Sequence, residues 1–137
     1  MVEAADAMVK AAPITSIYAG TVHPGKYLVL VSGDTASVEV ALETGRDAGA
    51  RSVIDSIFLP AVHDDVVAAI VSLVDAADFE GDAAGIVETA TVASVIEAAD
   101  AGVKGADVTL REVHLADGLG GKGYLLFSHF DAFGQPV

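Results

Sequence analysis

Cysteine is absent from this chain of 137 residues. Its absence excludes disulfide bonds, thiolate metal sites, iron–sulfur clusters and cysteine nucleophiles. Basic residues are scarce, because 7 Lys and Arg stand against 20 Asp and Glu, which gives a formal net charge of −13. Nucleic-acid binding and attraction to anionic lipids both need a basic surface, so neither partner is expected.

A long apolar segment and a basic leader are also missing. The longest uncharged apolar run near the middle, 66–74, is far shorter than the roughly 20 residues that span a bilayer. Glu3 and Asp6 occupy positions where a signal peptide would have basic residues. Hydrophobic residues make up 53% of the chain and are mostly Ala and Val. We therefore expect a packed core in a soluble, intracellular protein.

Residue spacing predicts an α+β fold. Apolar residues at helical spacing predict helices at 2–12, 35–48, 65–73 and 92–106. β-branched and aromatic runs predict strands at 14–19, 27–31, 52–59, 85–89, 108–115 and 124–127. The segment 75–84 is acidic and rich in small residues, and it is predicted to be a linker.

One stretch of the chain occurs twice. "EAADAMVK" (Glu3–Lys10) and "EAADAGVK" (Glu97–Lys104) differ only at Met8 and Gly102. Further on, "GKYLVLVS" (Gly25–Ser32) matches "GKGYLLFS" (Gly121–Ser128). A helix, a strand, a glycine turn and a second strand are thus repeated in order, which predicts a duplicated domain.

The duplication is incomplete at both ends. The first unit, 1–74, has no counterpart of the strand "GIVET", and the second, 85–137, has no counterpart of the helix–strand–helix that ends the first. A trimmed tandem pair of one and a half repeats therefore leaves a sheet edge open. Alternatively, "GIVET" folds back onto the first unit, and the chain is a permuted single domain with an extension.

The motifs resemble a known family. "GIVET", "VIEAADAGVKGADV", "GKYLVLVSGDTASVEVALETGRDAGA" and "DSIFLPAVHDDVVAAI" together resemble the bacterial microcompartment (BMC) shell domain. The doubling is similar to that of the tandem-domain shell proteins. These form trimers shaped like hexamers, so the resemblance implies an antiparallel sheet flanked by helices in a flat, ring-forming oligomer.

The family's role sets the functional expectations. Its tiles pack edge to edge into a shell around enzymes, and a central pore passes small metabolites. The implied partners are further copies in a trimer or hexamer, other shell proteins, the enclosed enzymes and the metabolites. The implied location is the microcompartment shell in the bacterial cytoplasm. Neither a cofactor nor an enzymatic activity is implied.

The resemblance also assigns two groups of residues. Lys10 and Lys104 match the lysine at the edge between neighbouring tiles, and His63 lies in "LPAVH", where the family often has "PRPH". Ala61 replaces the family's arginine there. The turns between the paired strands would line the pore, with these residues: His23, Pro24, Gly25, Asp117, Gly118, Leu119, Gly120 and Gly121. A ring bearing His23 and Asp117 would have a polar mouth whose charge changes near neutral pH.

Other chemistry has weaker support. "GLGGKG" fits the pattern G-x-G-x-x-G, but a strand is predicted after it, whereas a dinucleotide site needs a helix there. Adjacent residues in "HDD" point in different directions and are explained equally well by a helix start. The alternative to a shell tile is a small trimeric α+β domain that binds a metabolite and has a regulatory role.

Overall fold

The computed structural model describes residues 2–71, 83–115, 118 and 121–129. Its helices are α1 (Val2–Ala11), α2 (Thr35–Gly49), α3 (Asp64–Val71) and α4 (Val92–Gly105). Its strands are β1 (Ser16–Val22), β2 (Lys26–Ser32), β3 (Ala83–Thr89), β4 (Val108–Leu115) and β5 (Gly123–His129). A short 3-10 turn, Ala50–Ser52, follows α2. These elements confirm the α+β fold class.

The first compact unit, Met1–Ala61, contains α1, the β1–β2 hairpin and α2. β1 and β2 pair antiparallel over their full lengths. α2 begins after Asp34, whose side chain accepts the Ser37 N–H at 3.0 Å and so satisfies a donor at the helix start. Bonds to the backbone N–H and hydroxyl of Ser37 lower the pKa of Asp34. Both helices of this unit therefore follow the predicted pattern.

The second compact unit, Val62–Val137, contains α3, α4 and a three-stranded antiparallel sheet in the order β3-β5-β4. The central strand supplies Leu125 to the core, and α4 supplies Val95; both are fully buried. α3 contacts α4 and β4. The segment "GIVET" therefore pairs with its own repeat, as the tandem interpretation requires, and does not fold back onto β2.

One predicted strand does not form. Residues 53–59 are not in a strand, so the strand predicted at 52–59 is wrong. In the described part of the first unit, β1 and β2 pair only with each other, so this segment has no strand beside it. The linker predicted at 75–84 lies mostly outside the described residues and stays a prediction.

The single mismatch between the repeated helices has a packing reason. Met8 of α1 lies against Gly45 of α2, where an added Cβ would come within 2.6 Å of the Met8 side chain. Gly102 of α4 instead lies under the Phe127 ring of β5, and a Cβ there would overlap the ring. Close-packed interiors accept a larger residue only where another is smaller. The two copies thus fill equivalent positions with different partners.

Candidate functional site

The start of α3 meets the repeated segment in the second unit. The backbone N–H of His63 donates to Asp100 Oδ1 at 2.7 Å, and Lys104 Nζ lies 2.6 Å from Asp100 Oδ2. Both oxygens of one carboxylate are therefore occupied, one by a helix start and the other by an ammonium group. Two predicted edge residues, His63 and Lys104, are brought together by a third that the prediction omitted.

Asp100 is buried, with 8% of its side chain exposed. Burial acts to raise the pKa of Asp100, but the bonds from Lys104 and the His63 N–H outweigh it, so the pKa is lowered. The nearby helix start adds a favourable field, because the unpaired N–H groups of a helix N-terminus attract negative charge. The carboxylate is thus held ionised inside the second unit.

The His63 side chain has a local role at the same helix start. Its Nδ1 accepts the backbone N–H of Asp65 at 3.1 Å, and its carbonyl accepts the N–H groups of Val66 and Val67. Asp64 and Asp65 lie in the first turn of α3, where acidic residues are favourable. His63 therefore caps α3 with its ring and anchors the helix to Asp100 with its backbone.

The first unit contains the same Asp–Lys pair, but there the pair is exposed to solvent. Lys10 Nζ lies 2.6 Å from Asp6 Oδ2, the same i,i+4 geometry as in the second unit. Here the Asp6 side chain is 56% exposed and the Lys10 side chain 72% exposed. Identical residues thus form a solvated ion pair in one copy and, in the other, a pair whose carboxylate is buried and also bound by the His63 N–H.

Asp100 could have been found from the sequence. Asp6 and Asp100 occupy the same position of the repeat, four residues before each edge lysine, and that spacing places both side chains on one helix face. The repeat therefore signalled an Asp–Lys pair in each copy. Nothing in the repeat indicated that His63, which is distant in sequence, would contact Asp100.

Four of the five predicted pore residues that the structure describes are exposed in the hairpin turns. His23, Pro24 and Gly25 are exposed between β1 and β2, and Gly25 has φ +71, which a residue with a Cβ rarely adopts. In the second turn, Gly118 is exposed with φ +76, and Gly121 is buried with φ +91. Asp117, Leu119 and Gly120 lie outside the described residues.

The "GLGGKG" turn leads into a strand. β5 begins at Gly123, so no helix N-terminus follows the glycines to meet a phosphate. In the described part of the chain, no three His, Asp or Glu side chains are grouped as metal ligands. No helix among the described residues is both long and apolar enough to cross a membrane.

Comparison with known proteins decides the family. A model of the BMC domain matches residues 1–62 and again 83–128, which are the two copies of the repeat. The chain belongs to the BMC domain family. The two matched BMC segments confirm the resemblance drawn from the motifs.

Two shell proteins are similar to this chain in sequence. The bacterial microcompartment shell protein PduT of Citrobacter freundii is 43% identical over 124 residues, which cover 90% of this chain and 66% of the relative. The carboxysome shell protein CcmK2 of Synechococcus elongatus is 41% identical over 51 residues, covering 37% of this chain and 50% of the relative. The chain thus spans only part of the curated BMC proteins it matches.

A solved BMC structure has the same fold. The crystal structure of a microcompartments protein from Desulfitobacterium hafniense matches with a TM-score of 0.77 and 41% sequence identity. The match covers 96% of this chain and 72% of the other. This similarity supports the helix-and-sheet architecture over nearly the whole chain.

Proposed function

We propose that this protein is a structural tile of a bacterial microcompartment shell, which joins further copies in a trimeric ring shaped like a hexamer. The observation that carries the proposal is the match of both repeats to the BMC domain, together with 43% identity to a protein named as a microcompartment shell component. Two BMC units in one chain halve the number of chains that a six-unit ring needs. The shell in a bacterial cytoplasm is the corresponding location, with other shell proteins and the enclosed enzymes as partners.

The central pore is formed by the two strand-connecting turns. The exposed positions of His23, Pro24, Gly25 and Gly118 support this assignment, because a pore-lining segment must project from its unit. Glycines at positive φ allow several chains to approach one axis without side-chain overlap. Small metabolites pass through this opening.

The pore assignment is tested with His23→Ala. We expect the conductance of the protein reconstituted in a planar lipid bilayer to change, because the substitution removes the imidazole from the opening. An unchanged conductance would remove His23 from the pore.

The tile edge is formed by the exposed lysine of the first copy, with Lys104 and His63 on the second. The support differs between the two copies. Lys10 is 72% exposed and available to a neighbouring tile, whereas the Lys104 ammonium already contacts a buried carboxylate. The edge contact through the first copy is therefore the stronger of the two.

The decisive experiment is the mass of the purified chain by light scattering, with electron microscopy of the same sample. We expect a ring-sized oligomer and sheets, tubes or shells in the images. Lys10→Ala should keep the ring mass and lose the lateral assemblies, because an edge lysine joins rings and not subunits. A discrete trimer that binds a metabolite and never associates laterally would support the regulatory alternative. A monomer would contradict both.

A further inference from the structure

The first hairpin lies in a stretch of the chain that has no carboxylate side chain. Residues 7–33, which include β1, its turn and β2, contain no Asp or Glu, although the whole chain has 20. Besides the titratable His23, the hairpin itself carries one charged side chain, that of Lys26. In a protein with a net charge of −13, this hairpin is therefore a local region of positive charge.

The second hairpin carries charges of both signs. Its sequence has the basic residues Arg111 and Lys122 and the acidic residues Glu112 and Asp117. Lys122 Nζ also lies 3.9 Å from Glu88 Oε1 on the neighbouring strand β3. The positive charge next to the second turn is therefore compensated.

Lys26 and Lys122 occupy the same position of the repeat, directly after Gly25 and Gly121. Lys26 is the first residue of β2 and lies opposite Val22 in the ladder, so its backbone is fixed at the base of the exposed turn. Its side chain is half-buried, and a lysine in such a position keeps its ammonium group in water. In the described part of the chain, Lys26 has no ion pair. The equivalent lysines thus differ in compensation.

We propose that the first turn makes the pore selective for small anions, such as metabolites with a carboxylate or phosphate group, and that Lys26 determines this selectivity. The inference rests on the proposed pore. A trimeric ring brings three copies of Lys26 around one axis, and rings of basic side chains favour anions in pores. The acidic remainder of the tile repels anions, so attraction is confined to this region.

The ion selectivity of the reconstituted protein tests the role of Lys26. A planar lipid bilayer separates two KCl solutions of different concentration, and the reversal potential gives the ratio of chloride to potassium permeability. We expect the unaltered chain to favour chloride. In Lys26→Gln the ratio should fall by about fivefold, which is the effect of one charge pair at contact distance in water.

Two matched variants separate the charge of Lys26 from other effects of substitution. Lys26→Arg keeps the positive charge and should keep the preference for chloride. The double variant Glu88→Gln with Lys122→Gln removes two opposite charges from the second unit and should keep it as well. If the ratio in Lys26→Gln equals that of the unaltered chain, or falls equally in the double variant, Lys26 does not determine the selectivity, and the pore itself stands.

The unaltered chain provides a second measurement that does not depend on the folding of a variant. Salt screens charges, and the Debye length falls from about 10 Å near 0.1 M to about 3 Å near 1 M. We therefore expect the preference for chloride to decline over this range. A conducting chain with no such preference at the lower concentration would overturn the inference alone. No conductance at any concentration would overturn the proposed pore and the inference with it.

Discussion

The two copies of "EAADAxVK" place the same carboxylate in two environments. Asp6 of the first copy is paired with Lys10 and stays in solvent, whereas Asp100 of the second is paired with Lys104, also accepts the N–H of His63 and is buried. Val2 is likewise 68% exposed, and its counterpart Ile96 only 6%. The comparison shows that the helix sequence provides an ion pair, and that a segment distant along the chain decides whether the pair is structural.

The difference matters energetically because a buried carboxylate must keep its partners. A solvated i,i+4 pair contributes about 0.3–0.5 kcal/mol to stability. Removing the acceptor from a buried donor leaves that donor unsatisfied, at a cost of about 1–3 kcal/mol. Asp100 of the second copy is therefore needed to hold the start of α3, whereas the Asp6–Lys10 pair of the first copy is exposed at the surface.

The largest expected effect comes from giving the second copy the residue of the first. Gly102→Met places a long side chain where Phe127 already packs, and we expect a loss of about 3 kcal/mol despite the better helix propensity of Met. The measurement is the denaturant midpoint of the transition reported by the second unit. Phe127→Val, which restores the first copy's residue at the matching strand position, should recover much of the loss in the double variant. A double variant no more stable than Gly102→Met would show that the two sites do not compensate.

A smaller effect separates the two aspartates. Asp100→Ala leaves the His63 N–H without its acceptor and removes the carboxylate that pairs with Lys104, so we expect a loss of about 2 kcal/mol. The matched control, Asp6→Ala, should cost no more than about 0.5 kcal/mol. Both values come from urea unfolding of the full chain under identical conditions. Equal losses would mean that burial of the second carboxylate contributes nothing.

Low pH should destabilise the protein through the carboxylate of Asp100. Because the folded-state pKa of Asp100 is lowered from its ordinary value of 3.8, its ionised form contributes stability above that pH. The contribution is lost as pH falls through the lower folded-state pKa. We expect Asp100→Asn to flatten the acid limb of a stability-versus-pH curve, measured by thermal unfolding between about pH 2 and 6. An acid limb identical to that of the unaltered chain would assign the loss to other carboxylates.

Much of the local structure could be predicted from the sequence. The strand predicted at 108–115 coincides with β4, and the helix predicted at 92–106 is α4 to within one residue. Thr91 caps that helix by accepting the Ser94 N–H at 3.1 Å. Such features depend on residues close together in the chain. The repeat likewise indicated the tandem BMC architecture, which the family match confirms.

The features that could not be predicted depend on residues that are distant in the sequence. The run at 52–59 has strand composition, but a strand forms only beside another strand, and neither β1 nor β2 pairs with this run. The contact between His63 and Asp100 links residues far apart in sequence. Because both copies of the helix carry the same charges, the sequence does not indicate which aspartate is buried. The pore and edge assignments stay predictions for the same reason, because they depend on neighbouring chains.

The most direct test of the contrast is amide hydrogen exchange of the unaltered chain, comparing the central amides of α1 and α4. The two segments have nearly identical sequences, so their intrinsic exchange rates are nearly equal and protection reports environment. We predict stronger protection at Asp100 and Ala101 than at Asp6 and Ala7, and a reduction of this difference in Asp100→Ala. Equal protection of the two helices in the unaltered chain would contradict the claim that the contact between His63 and Asp100 stabilises the second copy.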